Sequence, residues 1–337
     1  MHRRRHLLFL LLDILYLAVA VRIDATATPA EGELSVDYYK KSCPNLQNVV
    51  QQTVTDKQIK TSSTGAGVLR LIFHDCFATG CDASILISSN SFNKAERDAD
   101  INLSLPGDAF DVVVRAKMAL ETECPGIVSC ADILALAARD LIIMLGGPYF
   151  NVQLGRKDSL SSHASDVVGK IPMPTMSIEE LITLFKNKGF TAQEMVALTG
   201  AHTVGFSHCK EFADRVFSNE SDPSLNPRMK LGLRKACHDY KNRTTVAAFN
   251  DIMTPNKFDN LYYQNLPRGL GLLSSDVALL THPQTRPFVL LYAANQTAFF
   301  RDFVLAMEKL SLVDVKKGNR GEVRRRCDEF NELNTSN

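Results

Sequence analysis

From Leu46 onward, apolar residues recur at the 3.6-residue period of amphipathic helices, and the period-2 alternation of strands is scarce. After Cys43-Pro44, the residues Leu46, Val49, Val50 and Val54 fall at i, i+3, i+4 and i+8 and predict one apolar helix face. The pattern predicts further helices over 64–77, 108–122 and 130–144. Within the last of these, Ala131-Asp132-Ile133-Leu134-Ala135-Leu136-Ala137-Ala138 is apolar nearly all round, the mark of a buried helix, and Gly146-Gly147-Pro148 stops it. Ser177-x-x-Glu180 and Thr191-x-x-Glu194 are capping boxes, each just before an apolar run, and Gly189 ends the first of these two helices. Helical patterns also cover 206–217, 226–237, 283–293 and 295–310, while a small hairpin near 210–216 or in 150–160 stays open. No Gly/Ser/Pro-rich linker divides the chain, so the expectation is a single all-α unit with two lobes around a cleft.

The amino terminus breaks this pattern. His2-Arg3-Arg4-Arg5-His6 precedes an apolar run over 7–21, with small-residue cleavage candidates at Ala18-Val19-Ala20 and Ala25-Thr26-Ala27. A membrane anchor is the rival, but the run is about 15 residues long and carries Asp13, whereas a spanning helix needs ~20 apolar residues. A secretory signal peptide over 1–27 and a mature domain over 28–337 are therefore expected, with no later membrane span. All eight cysteines lie beyond the signal, and four disulfides suit an exported chain. Eight cysteines allow 105 pairings, so count and spacing leave the connectivity open. Metal binding by Cys76-x4-Cys81 is the alternative, but no third or fourth cysteine sits close enough. Sequons at Asn102, Asn219, Asn242, Asn295 and Asn334 fit export.

Composition narrows the function classes. The 337 residues carry 38 Lys+Arg against 37 Asp+Glu, without the basic excess of a nucleic-acid binder. With 45% hydrophobic and 22% charged residues the chain is an ordinary globular one. Tryptophan is absent, so no chemistry here uses an indole.

The candidate chemistry gathers at two histidines. In Arg70-Leu71-Ile72-Phe73-His74-Asp75-Cys76, Arg70 and His74 stand at i and i+4 and so neighbour each other on one helix face. A fixed positive charge beside a neutral imidazole suits a reaction that moves a proton while negative charge develops; an ordinary surface pair is the bland reading. Asp75, on the next face round, begins a run of oxygen donors with Asp82 and Ser84 on a loop pinched by Cys76 and Cys81, a set that suits Ca²⁺. The second cluster, Leu198-Thr199-Gly200-Ala201-His202-Thr203-Val204-Gly205, places His202 near the end of an apolar helix, among small residues that let a flat ligand approach. A satisfied core histidine is the bland reading there. Thr203 and Asp251-x-x-Thr254-Pro255-x-x-Phe258-Asp259 offer a second set of oxygen ligands, which Asx-rich turns would mimic.

Arg-x-x-Phe-His-Asp-Cys, then Gly-Cys-Asp-Ala-Ser, Val-Ser-Cys-Ala-Asp, Ala-Leu-x-Gly-Ala-His-Thr and Thr-Pro-x-x-Phe-Asp-Asn, in that order, resemble the secretory plant (class III) haem peroxidases. The resemblance runs from about Leu34 to Cys327 and includes all eight cysteines. It implies the haem peroxidase fold, two helical lobes sandwiching one haem b, and oxidation of phenolic or similar organic donors by hydrogen peroxide. It implies His202 as the iron ligand and Asp276 as the carboxylate on its other nitrogen. It also implies His74 as the general acid–base, Arg70 as the stabiliser of developing negative charge, and Asn102 as the amide that orients His74. The Asn102 sequon should then be inaccessible. Pro172, in Ile171-Pro172-Met173-Pro174, matches a proline at the mouth where donors dock.

Two Ca²⁺ ions are implied as well. One set is Asp75, Ala78, Gly80, Asp82 and Ser84, with Ala78 and Gly80 acting through carbonyls; the other is Thr203, Asp251, Thr254, Lys257 (carbonyl) and Asp259. The implied disulfides are Cys43–Cys124, Cys76–Cys81, Cys130–Cys327 and Cys209–Cys237. Some positions depart from the family pattern. Asp100, Thr175 and Glu211 stand where relatives carry phenylalanines around the donor pocket. Leu105-Pro106-Gly107-Asp108-Ala109 replaces a shorter, arginine-containing turn, and Asn250 before Asp251 is unlike the ascorbate-using class. The polar tail after Cys327 favours the cell wall (apoplast) over the vacuole. A monomer without nucleic-acid or membrane partners is expected. Two rivals are weighed: a catalytically silent secreted calcium-binding structural protein on the same scaffold, and a fungal-type ligninolytic peroxidase, whose surface tryptophan is impossible here.

Overall fold

The structure is a computed structural model that describes residues 33–218 and 222–331. The expected signal peptide over 1–27 and the sequons at Asn219 and Asn334 lie outside the described residues. From Leu34 onward the chain forms a single compact unit.

Four helices build the first half: α1 (Leu46–Lys60), α2 (Thr64–Ala78), α3 (Gly107–Glu123) and α4 (Cys130–Met144). All four pack on one another, and α4 is the centre, buried from Cys130 through Ile142 as its all-round apolar sequence predicts. Ser129 caps it by accepting from the Asp132 amide at 3.2 Å. Its first-turn carboxylate, Asp132, is fully buried and accepts from Tyr39 Oη (2.8 Å), Arg156 Nη1 (2.8 Å) and the Gly155 amide (2.7 Å). A buried ion pair this well hydrogen-bonded offsets its own desolvation.

The second half contains α5 (Ile178–Asn187), α6 (Ala192–Thr199), α7 (Ala213–Phe217), α8 (Pro227–Ala236), α9 (Leu261–Asn265), α10 (Ser274–Thr281), α11 (Arg286–Ala294) and α12 (Gln296–Leu310). Both capping boxes form at the amino termini of α5 and α6. Helices α6, α9, α11 and α12 enclose an aromatic core of Phe258, Tyr262, Tyr263, Tyr292, Phe299 and Phe303. A smaller core of Phe212, Val216, Leu225, Met229, Leu233 and Leu272 surrounds the Cys209–Cys237 disulfide. The 3₁₀ segment Gly200–Val204 follows α6 and packs against α2, so α2 contacts both halves.

The all-α expectation and all four implied disulfides are borne out. Cys76–Cys81 being a disulfide removes the metal alternative. Three local expectations change. The predicted helix over 206–217 is helical only from Cys209, because Phe206–His208 (β1) pairs antiparallel with Ala247–Phe249 (β2). The hairpin left open at 210–216 is therefore absent there, and 150–160 holds only isolated bridges at Leu154, Lys157 and Asp158. His202 lies in the 3₁₀ segment beyond α6 rather than within an α-helix.

Candidate active site

Helix α2 presents Arg70 and His74 one turn apart. His74 is buried and held from both sides: Arg70 Nε donates to its Nε2 at 3.2 Å, and Asn102 Oδ1 lies 2.6 Å from its Nδ1. Asn102 is itself buried, and its Nδ2 donates to the Glu96 carbonyl at 2.7 Å. That bond makes the amide oxygen the acceptor toward His74, so Nδ1 carries the proton and Nε2 the lone pair. Burial, and then the Arg70 charge, depress the His74 pKa to about 3. The result is a neutral imidazole whose basic nitrogen sits beside a guanidinium. Arg70 also donates to the Ser104 carbonyl (3.2 Å), Ser104 Oγ (2.9 Å) and the Ile101 carbonyl (3.1 Å), so the segment around Asn102 positions both groups.

His202 is arranged in the same way with a stronger partner. Its Nδ1 donates to Asp276 Oδ1 at 3.0 Å, and Tyr262 packs edge-on with ring centroids 5.8 Å apart. Asp276, in the first turn of α10, is buried, yet 37% of the His202 side chain is accessible, so the ring is anchored on one side and open on the other. Burial is the largest single influence and pulls its pKa down, but the charge and hydrogen bond of Asp276 together outweigh it and leave the value raised. The Arg70 charge reaches both rings and lowers each. Two imidazoles from α2 and the 3₁₀ segment thus feel the same Arg70 charge, each with Nδ1 tied down, His74 held neutral and His202 made more basic by its carboxylate.

An oxygen-rich loop adjoins each histidine. Next to His74, Asp75 accepts from the Ala83 (3.0 Å) and Ile85 (3.4 Å) amides. Asp82 Oδ1 accepts from the Ser84 amide (3.0 Å), and Ser84 Oγ donates to Glu96 Oε2 (3.0 Å). Burial, then the charges of Asp82 and Glu96, push the Asp75 carboxyl well above the usual range; burial leads in raising Glu96 to about 7. Carboxylates so crowded call for a cation, and hard oxygens suit calcium. Beside His202, Thr203 Oγ1 lies 3.4 Å from both Asp251 Oδ2 and the Lys257 carbonyl. Thr254 Oγ1 lies 3.1 Å from Asp251 Oδ2 and 3.2 Å from Asp259 Oδ1, so all five expected contributors of this set converge. Among the described residues no three His, Cys, Asp or Glu side chains form a metal group.

The chain has extensive sequence relatives. A family model described as peroxidase matches residues 47–295. The chain is 56% identical over 320 residues to Peroxidase 63 of Arabidopsis thaliana, covering 95% of this chain and 97% of that one. It is 58% identical over 301 residues to Peroxidase 65 (89% and 90%) and 57% identical over 302 residues to Peroxidase 31 (90% and 95%), both from the same plant.

The chain belongs to the peroxidase family.

Its branch is the secretory plant one, and the catalytically silent scaffold finds no support among these relatives. In this peroxidase the remaining expected positions differ in exposure. Pro172 is half-buried in the irregular segment before α5. Asp100 is almost fully exposed and pairs with Lys94 at 3.8 Å. Thr175 is exposed, whereas Glu211 is partly buried and its charge acts on Arg70. Sequence reasoning missed Glu96. Its carbonyl holds Asn102 and its carboxylate accepts from Ser84 and from Thr79 Oγ1 (3.1 Å), which joins the His74 network to the neighbouring loop. Glu96 lies in a polar stretch without periodicity, so no pattern marked it.

Proposed function

We propose that this peroxidase reduces hydrogen peroxide at one haem b, held through His202, and takes the electrons from phenolic or similar organic donors. The observation that carries this reading is the pair of imidazoles under one Arg70 charge, each with Nδ1 engaged, one by the Asn102 amide and the other by the Asp276 carboxylate. The chain's residues fit a haem: a partly accessible imidazole backed by a buried carboxylate on Nδ1, with the small residues Gly200 and Ala201 beside it. A haem held there would supply the redox chemistry, two electrons to peroxide, made good by two one-electron donors.

The protein's own contribution is proton traffic and charge. His74 Nε2 takes the proton from one peroxide oxygen and returns it to the departing one as water. Arg70 stabilises the negative charge that builds up as the O–O bond breaks. Asn102 keeps the His74 ring in the productive tautomer. Asp276 makes His202 a more electron-rich ligand. In sum, one peroxide and two donors, each giving up an electron and a proton, yield two waters and two oxidised donors.

Donors reach the cleft past Pro172, and the polar residues Asp100, Thr175 and Glu211 favour loose docking of varied donors over tight aromatic binding. Two Ca²⁺ ions complete the site, one on Asp75, Ala78, Gly80, Asp82 and Ser84, the other on Thr203, Asp251, Thr254, Lys257 and Asp259. The mature domain over 28–337 acts as a monomer in the cell wall after removal of residues 1–27. Purified protein renatured with hemin and calcium should show a Soret band and oxidise guaiacol only with peroxide present. Colourless protein, or guaiacol oxidation independent of peroxide, overturns the reading.

A further inference from the structure

The segment after α12 is fastened to the loop that follows α2. The Cys81 amide donates to the Val313 carbonyl at 3.0 Å. Gly80, at φ +131°, lies so close that a Cβ there would meet the Asp314 carbonyl oxygen at 2.6 Å. Two residues on, the Lys316 carbonyl accepts from the Lys157 amide at 2.8 Å, which pins its main chain. From this anchored position the Lys316 ammonium pairs with Asp82 Oδ2. Asp82 is fully buried, while 27% of the Lys316 side chain remains accessible. Among the described residues Lys316 is the cation that pairs with the buried group Asp75, Asp82 and Glu96. The loop beside His202 differs: its nearby ammonium, Lys257, lies 3.6 Å from Asp259 on a side chain that is 66% exposed. A pair so open to water contributes little.

We infer that Lys316 is a tethered counter-ion for the Asp75–Ser84 loop, which competes with calcium for Asp82 and takes its place when calcium is scarce. This inference rests on the reading of that loop as a calcium site. A calcium ion entering there must either sit beside an ammonium in a poorly screened interior or displace it toward solvent and forfeit the ion pair. Either course weakens calcium at this loop and leaves the loop folded without it. Among the described residues the loop beside His202 has only the exposed Lys257 in that place, so its calcium is held more tightly.

The test titrates calcium into chelator-treated, haem-loaded enzyme by calorimetry, and compares melting temperatures in calcium and in chelator. Wild type, Lys316→Met, Lys316→Gln and Lys316→Arg are compared. The expected result is two calcium ions per chain, with the weaker event at least tenfold tighter in the Met and Gln variants and unchanged in the Arg variant. The Met and Gln variants should also lose more melting temperature in chelator than wild type. Two events with wild-type affinities in the Met and Gln variants overturn the inference and leave the calcium reading standing. Fewer than two events in wild type and in every variant overturns the calcium reading and the inference with it. Should the Met and Gln variants fold only with calcium present, the counter-ion role is supported; if they fold in neither condition, it is overturned.

Discussion

An imidazole accepts a proton only at a nitrogen that carries a lone pair, and at His74 the neighbouring amide decides which nitrogen that is. Because Asn102 Nδ2 is spent on the Glu96 carbonyl, its oxygen must face His74, and the ring proton must sit on Nδ1. Replacing His74 with Ala should slow the reaction with peroxide by about 10²–10⁴-fold, the usual worth of a positioned general base, while haem stays bound. Stopped-flow traces at the Soret maximum check this, and a near-normal rate removes His74 from its role. The depressed pKa adds a pH signature. A ring that titrates near 3 when folded and near 6.5 when unfolded stays an available base down to about pH 3. The peroxide-step rate should therefore hold its plateau through pH 5 and fall only toward pH 3. Over the same window the unfolded chain takes up a proton that the folded one refuses, so this group's contribution to stability is complete above pH 6.5 and declines as pH falls. At His202 the expected failure is different: His202→Ala should lower retained haem, read as the Soret-to-protein absorbance ratio after gel filtration. A full haem complement with an unchanged spectrum would contradict the ligand assignment.

Elements place these residues, and the tightest placement is at Gly200. An added Cβ there would lie 2.4 Å from Phe299 Cε2 and 2.5 Å from Tyr263 Oη, which donates to the Val196 carbonyl. Gly200→Ala must therefore move the 3₁₀ segment that carries His202, or break that hydrogen bond in the aromatic core. The variant should be about 1–3 kcal/mol less stable, as overpacked cores are, and should bind haem more weakly. Thermal unfolding with a hemin titration measures both; wild-type values for each would show that the segment has slack. The long helices were legible because periodicity and capping report burial directly: α4 is buried where its sequence is apolar, and both capping boxes close. The β1 strand was not legible, because its pairing with β2 is between segments about 40 residues apart and each is only three residues long. Helices α9 and α10 were missed for a related reason, since five and eight residues hold too little periodicity to register. The histidines were visible only as isolated clusters until ordered motifs joined them. Glu96 stayed hidden because its part is played by a backbone carbonyl as much as by its side chain.

Across the whole molecule, closure of the chain is set by disulfides whose pairing the cysteine count left open among 105 arrangements and the family resemblance supplied. Cys130–Cys327 spans 197 residues, Cys209–Cys237 only 28. In the loop-closure account the longer bridge removes more freedom from the unfolded chain, about 5 against about 3.5 kcal/mol. The longer bridge also has local company. Asp158 accepts from the Cys130 (3.1 Å), Ala131 (2.9 Å) and Arg324 (2.9 Å) amides, and Arg324 Nη2 reaches the Ala83 carbonyl at 2.7 Å. Losing this bridge therefore loosens the carboxyl-terminal segment at the start of α4 and frees one tie to the loop next to His74. A Cys130→Ser/Cys327→Ser protein should show the larger drop in denaturant midpoint, together with a slower peroxide step. A Cys209→Ser/Cys237→Ser protein should show a smaller drop and a peroxide step near that of wild type. Equilibrium unfolding and stopped-flow kinetics on the two double variants measure this pair of differences. If the shorter bridge proves the costlier one, native contacts in the small core around it outweigh chain entropy, and the loop-closure explanation is wrong for this protein.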